Sequence, residues 1–189
     1  MTKRIPEMLE SFSQLVASPS VSSTDPQWNQ SNRGVVELLA GWLEGIGFNV
    51  EIIPVPVETN QGEGEEKFNL IACMGEGEGG LVLSGHTDTV PFSAESWHQD
   101  PFKLTEKEGR LHGLGICDMK SFFPIVMDVA QKLNVRDLKQ PLYVLATADE
   151  ESTMSGARAL AGYGESLGRY ALIGEPTGLM PVYMHKGIL

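Results

Sequence analysis

Three short apolar runs in this chain each end on residues able to hold a cation. Leu81-Val82-Leu83-Ser84-Gly85 runs into His86, Thr87 and Asp88. Leu142-Tyr143-Val144-Leu145-Ala146 leads to Asp149, Glu150 and Glu151, and Ala171-Leu172-Ile173-Gly174 leads to Glu175. Apolar runs of this length read as buried strands, and in open α/β sheets ligands bind beyond the carboxyl ends of the strands. The histidine and the acids are therefore expected at one rim. Carboxylates gathered so closely cannot all stay ionised without a compensating cation. The simplest compensation is a divalent metal ion, or two, bound by imidazole and hard oxygen ligands.

Taken singly, each piece has a plainer explanation. His-Thr-Asp forms a local hydrogen-bonded turn in many proteins, and a Glu-Glu pair suits the solvated first turn of a helix. A fourth segment, Gly113-Leu114-Gly115-Ile116-Cys117-Asp118, is glycine-rich and ends on an aspartate that could simply cap a helix. Convergence of several strand-end signals in one chain is what favours a common site.

The elements that must position these residues follow from spacing. Ile5 to Ala17 reads as a first helix, and Ser31 as the cap of a second that ends at Gly45 or Gly47. Phe48 to Val57 suggests an edge strand because it carries two prolines. Residues 60 to 67 lack any apolar period and read as mobile, solvated surface. Phe68 to Met74 and Leu81 to Ser84 read as strands, and Leu104 to Leu114 as a hairpin. Beyond them come a helix over 119–133, a strand over 141–148, a helix over 153–161 and a strand over 170–174. Alternating strands and helices predict an α/β fold with a mixed, largely parallel sheet covered by helices on both faces.

Bulk properties narrow the function. The 189 residues carry a formal net charge of −11, which argues against nucleic acid and anionic membrane surfaces as partners, because both require a basic face. No apolar run approaches the roughly 20 residues of a membrane helix, and the amino terminus does not read as a signal peptide. Two cysteines, Cys73 and Cys117, indicate no disulfide framework, so a cytoplasmic address is expected. Cys117 is expected to be a small buried residue in a tight turn. His98, His112 and His185 have no ligand motif around them and are assigned to surface or packing roles.

Four segments together resemble the co-catalytic zinc aminoacylase and carboxypeptidase family, the M20-type metallopeptidases. They are Ser84-Gly85-His86-Thr87-Asp88-Thr89-Val90-Pro91, Gly113-Leu114-Gly115-Ile116-Cys117-Asp118-Met119-Lys120, Thr147-Ala148-Asp149-Glu150-Glu151 and Gly174-Glu175-Pro176-Thr177. The resemblance implies a zinc-exopeptidase-like catalytic domain and two divalent metal ions, zinc foremost, with cobalt or manganese as alternatives. It makes Asp118 the bridging carboxylate, His86 and Glu175 ligands of one metal, and Glu151 a ligand of the other. Glu150 becomes the general base and Asp88 the acid that orients His86. It also implies a cis peptide between Asp118 and Met119. The activity implied is hydrolysis of the amide of a small N-acyl amino acid, by a protein that is a homodimer when full length.

Two departures from the family pattern are Ser121, where glycine usually follows the lysine, and Cys117 beside the bridging aspartate. A larger one is length. Family members are about twice as long, so residues 1–180 correspond to the amino-terminal portion of the catalytic domain and 181–189 to the start of a connection to a lid and dimerisation domain. The family's last metal-binding histidine belongs to the remainder, so the 189 residues are expected to hold one metal firmly and to hydrolyse little. The rival readings are a different amide or peptide hydrolase of the same family and a non-catalytic binding module.

Overall fold

The first two helices form where apolar spacing predicts them. In a computed structural model describing residues 6–56, 65–163 and 167–184, α1 spans Met8–Val16 and α2 spans Arg33–Ile46. Phe12, Leu15 and Val16 of α1 and Val35, Val36, Leu39 and Leu43 of α2 are buried, so each helix presents one apolar face. Gly47 ends α2 with φ 106°, in the left-handed region that a residue without Cβ enters freely. The residue preceding α2 is Asn32 rather than Ser31. Its side chain accepts from Phe68 N, donates to Phe68 O, and donates again to Thr87 Oγ1. That buried amide ties the helix start to one strand and to the turn that follows another.

Next come β1 (Asn49–Val55), β2 (Lys67–Met74) and β3 (Leu81–His86), a small hairpin of β4 (Thr105–Lys107) and β5 (Arg110–His112), helix α3 (Phe122–Ala130), strand β6 (Leu142–Thr147), helix α4 (Ser155–Ala161) and strand β7 (Tyr170–Ile173). The main sheet has the order β1-β2-β6-β3-β7. Pairing is antiparallel for β1–β2 and β2–β6 and parallel for β6–β3 and β3–β7. Four strands thus run one way and β2 alone runs against them, which is the mixed, largely parallel sheet expected. Side chains of Phe68, Leu70, Ala72 and Met74 join α1, α2 and α3 in one core. Asn69 points to the opposite face, as strand alternation requires, and donates to Gly156 O of α4.

Register brings the functional ends together. His86 lies opposite Thr147 of β6, and Ser84 lies opposite Ile173 of β7. Three adjacent parallel strands therefore finish at nearly one level, and the segments leaving them carry Asp88, Glu150, Glu151 and Glu175.

Three expectations need correction. The helix expected over 119–133 starts at Phe122, because Asp118 (φ −124°, ψ 97°) and Met119 (φ −136°, ψ 27°) are not helical, and it stops at Ala130; the Asp118–Met119 peptide bond is cis. Lys67, placed with the solvated loop, is 5% exposed and opens β2. Residues 60–64 of that loop lie outside the described residues, while Glu65 and Glu66 are exposed as expected. Cys117 is exposed rather than buried. His98 and His112 are exposed, and His185 lies outside the described residues.

Candidate metal centre

His86 ends the central strand β3, 2% exposed and fixed on every side. Gly85 before it allows the strand to approach α3: a Cβ there would meet Met119 Cε at 2.9 Å and the rings of Phe122 and Phe123 at 3.1 Å. His86 N lies 3.3 Å from Met119 Sδ, and the imidazole Nδ1 lies 3.0 Å from the main-chain carbonyl of Asp88. A carbonyl oxygen can only accept, so Nδ1 carries the hydrogen and the neutral ring presents the Nε2 lone pair outward. Nε2 faces Asp118 Oδ1 at 3.0 Å and Glu175 Oε1 at 4.0 Å. Two acceptors at 3.0 Å need a cation between them, either a proton or a metal.

The donor set fits a metal. Zinc–nitrogen and zinc–oxygen bonds of about 2.1 and 2.2 Å allow ligand atoms up to about 4.3 Å apart, and both distances from Nε2 fall within that limit. Ligand atoms of His86, Asp118 and Glu175 lie within 4.8 Å of one another, and so do those of His86, Glu150 and Glu151. His86 is the imidazole of both groups. The residues expected from sequence to share one metal are therefore brought together, and the Glu150-Glu151 pair gathers with the same imidazole.

Electrostatics point the same way. Burial holds Glu151 and Glu175 above the usual carboxylate range, and the neighbouring charges of Asp118 and Glu150 push both further. Burial lowers the His86 pKa, but Asp88, the hydrogen bond from Asp118, Glu175 and Glu150 together bring it above its ordinary value. These are the responses of a site short of positive charge.

Asp88, expected to orient His86, lies against both the imidazole and the glutamate pair. Its main-chain carbonyl makes the 3.0 Å contact to the imidazole, while Oδ1 lies 3.6 Å from Nδ1. Its carboxylate accepts from Glu150 N at 3.2 Å and Glu151 N at 3.0 Å. One residue thus holds the histidine through its backbone and the glutamate pair through its side chain.

A family model described as peptidase family M20/M25/M40 matches residues 82–183. The chain belongs to that family. It is 53% identical over 186 residues to an acetylornithine deacetylase of Pasteurella multocida, covering 98% of this chain and 47% of the relative. It is 51% identical over 189 residues to an acetylornithine deacetylase of Proteus mirabilis, again covering 47% of the relative. The chain spans about half the length of the curated relatives it matches. Among solved structures, human carnosine dipeptidase 1 aligns with TM-score 0.68 at 20% identity, over 82% of this chain and 34% of that one. The M20 family metallo-carboxypeptidase Sso-CP2 of Sulfolobus solfataricus aligns with TM-score 0.68 at 16% identity, over 90% and 37%. These neighbours show that the fold is that of the family's metallohydrolases.

Sequence reasoning missed two lysines beside the centre. Lys120 Nζ is buried and donates to Leu15 O at 3.1 Å and Ser18 O at 2.8 Å, joining the turn after Asp118 to the end of α1. Burial pushes its pKa down to about 7, against the opposing charge of Asp88. Lys67 pairs with Asp149 at 2.8 Å. Asp149, expected on the rim with the glutamates, turns inward to meet it. A lysine directly before the apolar run Phe68-Asn69-Leu70-Ile71 was the available signal for Lys67, and a weak one, since most lysines flanking strands are solvated.

Proposed function

We propose that this chain is the metal-binding portion of an acetylornithine deacetylase. In this reading residues 1–180 belong to the catalytic domain and 181–189 begin the connection to a lid and dimerisation domain. The complete polypeptide is a cytoplasmic homodimer that hydrolyses the acetyl amide of N2-acetylornithine to ornithine and acetate. The observation that carries the reading is identity above 50% to two deacetylases spread over nearly the whole chain, together with ligand groups that fit a metal.

His86, Asp118 and Glu175 would hold one ion, and Asp118 with Glu151 would hold a second. Zinc suits this set, and cobalt or manganese tolerate the same ligands. A bound divalent ion would supply Lewis acidity toward the substrate carbonyl and lower the pKa of the attacking water. The remaining work falls to side chains. Glu150, whose N–H is held by Asp88, accepts the proton of that water and returns it to the departing amine, a general base followed by a general acid. Asp88 keeps the imidazole hydrogen on Nδ1 so that Nε2 stays available as a ligand.

The test compares deacetylation of N2-acetylornithine with desuccinylation of N-succinyl-diaminopimelate by the complete polypeptide, before and after metal removal by a chelator. Metal-dependent preference for the acetyl substrate is expected. Preference for the succinyl substrate, or turnover indifferent to the chelator, overturns the reading. For residues 1–189 alone the ligand count gives about one tightly held metal per chain and negligible turnover. Two tightly held metals with full activity would refute that expectation.

A further inference from the structure

We propose that Lys67 and Asp149 form a buried clamp that positions Glu150 and Glu151 against the metal centre. The inference rests on the metal-centre reading above and assigns both members as positioning residues, since neither faces the ligand cluster.

Asp149 immediately precedes the glutamate pair and adopts φ 55°, a left-handed conformation uncommon for a residue with Cβ. Its surroundings hold it there. Asp149 Oδ1 accepts from Lys67 Nζ and Ser22 Oγ, each at 2.8 Å, and Oδ2 accepts from Ser155 Oγ at 2.9 Å. Asp149 O accepts from Met154 N at 2.6 Å. The ammonium of Lys67 is equally committed: it also donates to Asn29 Oδ1 at 2.8 Å and Gln30 O at 2.7 Å. Its three hydrogens thus meet three acceptors. The side chains of Lys67 and Asp149 are 5% and 11% exposed.

The consequence is directional. Drawing the Asp149 side chain inward to Lys67 sets the next peptide, and the N–H groups of Glu150 and Glu151 then meet the carboxylate of Asp88. The glutamate pair is held from behind by the clamp and from the side by Asp88. A buried ion pair is a poor way to add stability, because packed apolar residues of similar volume do as well or better. What it adds here is geometry: it ties the 20–32 loop, the start of β2 and the start of α4 to the segment that carries the glutamates.

Cobalt(II) alone serves as the probe, read by chelator competition and by its visible absorption below the unfolding temperature. The variants are Lys67→Met, Asp149→Asn and the double variant, with Lys132→Ala, which breaks the exposed pair between Asp128 of α3 and Lys132 just beyond it, as control. Asparagine tolerates the left-handed φ, so Asp149→Asn tests the charge contact rather than the backbone. Both single variants should bind cobalt about 10–100-fold more weakly, the usual effect of losing an outer partner, with an altered spectrum. The double variant leaves no buried charge unpaired, so it should regain thermal stability without regaining cobalt affinity. The control should match the unsubstituted chain. Recovery of both stability and affinity in the double variant, or unsubstituted affinity and spectrum in the single variants, overturns the clamp. Failure of the unsubstituted chain to take up cobalt would instead overturn the metal-centre reading, and the clamp with it.

Discussion

On the two sides of the Asp149–Glu150 peptide bond the protein treats acidic side chains in opposite ways. Asp149 is matched from within, by an ammonium and two hydroxyls. Burial by itself would raise its pKa, but the Lys67 hydrogen bond and charge, with Ser155 and Ser22, bring it below the usual range. Asp118, Glu150, Glu151 and Glu175 gather around one imidazole, and the Glu151 and Glu175 pKa values rise instead. A fold able to neutralise one carboxylate so completely could have neutralised its neighbours. The contrast leaves the second cluster short of positive charge, which is the deficit the proposed metal would fill.

The largest expected effect separates roles within the open cluster. In the complete polypeptide, Glu150→Gln should keep its metal while turnover falls about 10²–10⁴-fold, the range for loss of a general base. Glu151→Gln should lose metal affinity as well, and equal metal content in the two variants by elemental analysis would dissolve the distinction. His86→Ala should weaken metal uptake by more than the roughly 10–100-fold expected for an outer partner, measured by chelator competition. In the closed cluster, Lys67→Met strands a buried carboxylate and should destabilise the protein by about 3 to 5 kcal/mol in urea unfolding.

Acidity sharpens the comparison further, because the two clusters respond with opposite sign. Glu151 and Glu175 have folded pKa values raised above the ordinary 4.5, so the metal-free folded state holds protons that the unfolded state releases. Their contribution to stability is present below pH 4.5 and is lost as pH rises through the raised values. Asp149 is lowered from 3.8, so its contribution is present above pH 3.8 and is lost as pH falls through the lowered value. Urea unfolding of the metal-free protein from about pH 3 to about pH 7 should show both trends. Added metal should remove the first, and Lys67→Met the second. The smallest effect is Lys132→Ala, which should leave the unfolding midpoint unchanged because solvent screens an exposed pair.

Much of this was legible in the sequence where chemistry coincides with a strand end. His86, Glu150, Glu151 and Glu175 follow apolar runs, and parallel strands at matched register have to deliver such residues to one rim. Asp118 was legible through its glycine-rich approach. The direction of Asp149 was not, because three consecutive acids carry no periodicity that says which turns inward. That depends on Lys67, which is far away in sequence and lies beside a loop without apolar pattern. The start of α3 was misplaced for a related reason: apolar spacing continues through Met119, and only the backbone angles at Asp118 and Met119 take the turn out of the helix.

The position of β6 has a consequence for how the chain reaches this structure. β2 and β3 are neighbours in sequence but not in the sheet, where β6 lies between them. During synthesis the β1–β2 pair can form early, yet β2 and β3 must each keep an edge open until residues 142–147 have emerged. Contacts of such long sequence separation form slowly, and unpaired strand edges are the surfaces through which nascent chains associate wrongly. His86 and the glutamate pair are therefore joined by the last strand to enter the middle of the sheet, so the cation site cannot exist on a chain that has not yet closed its centre.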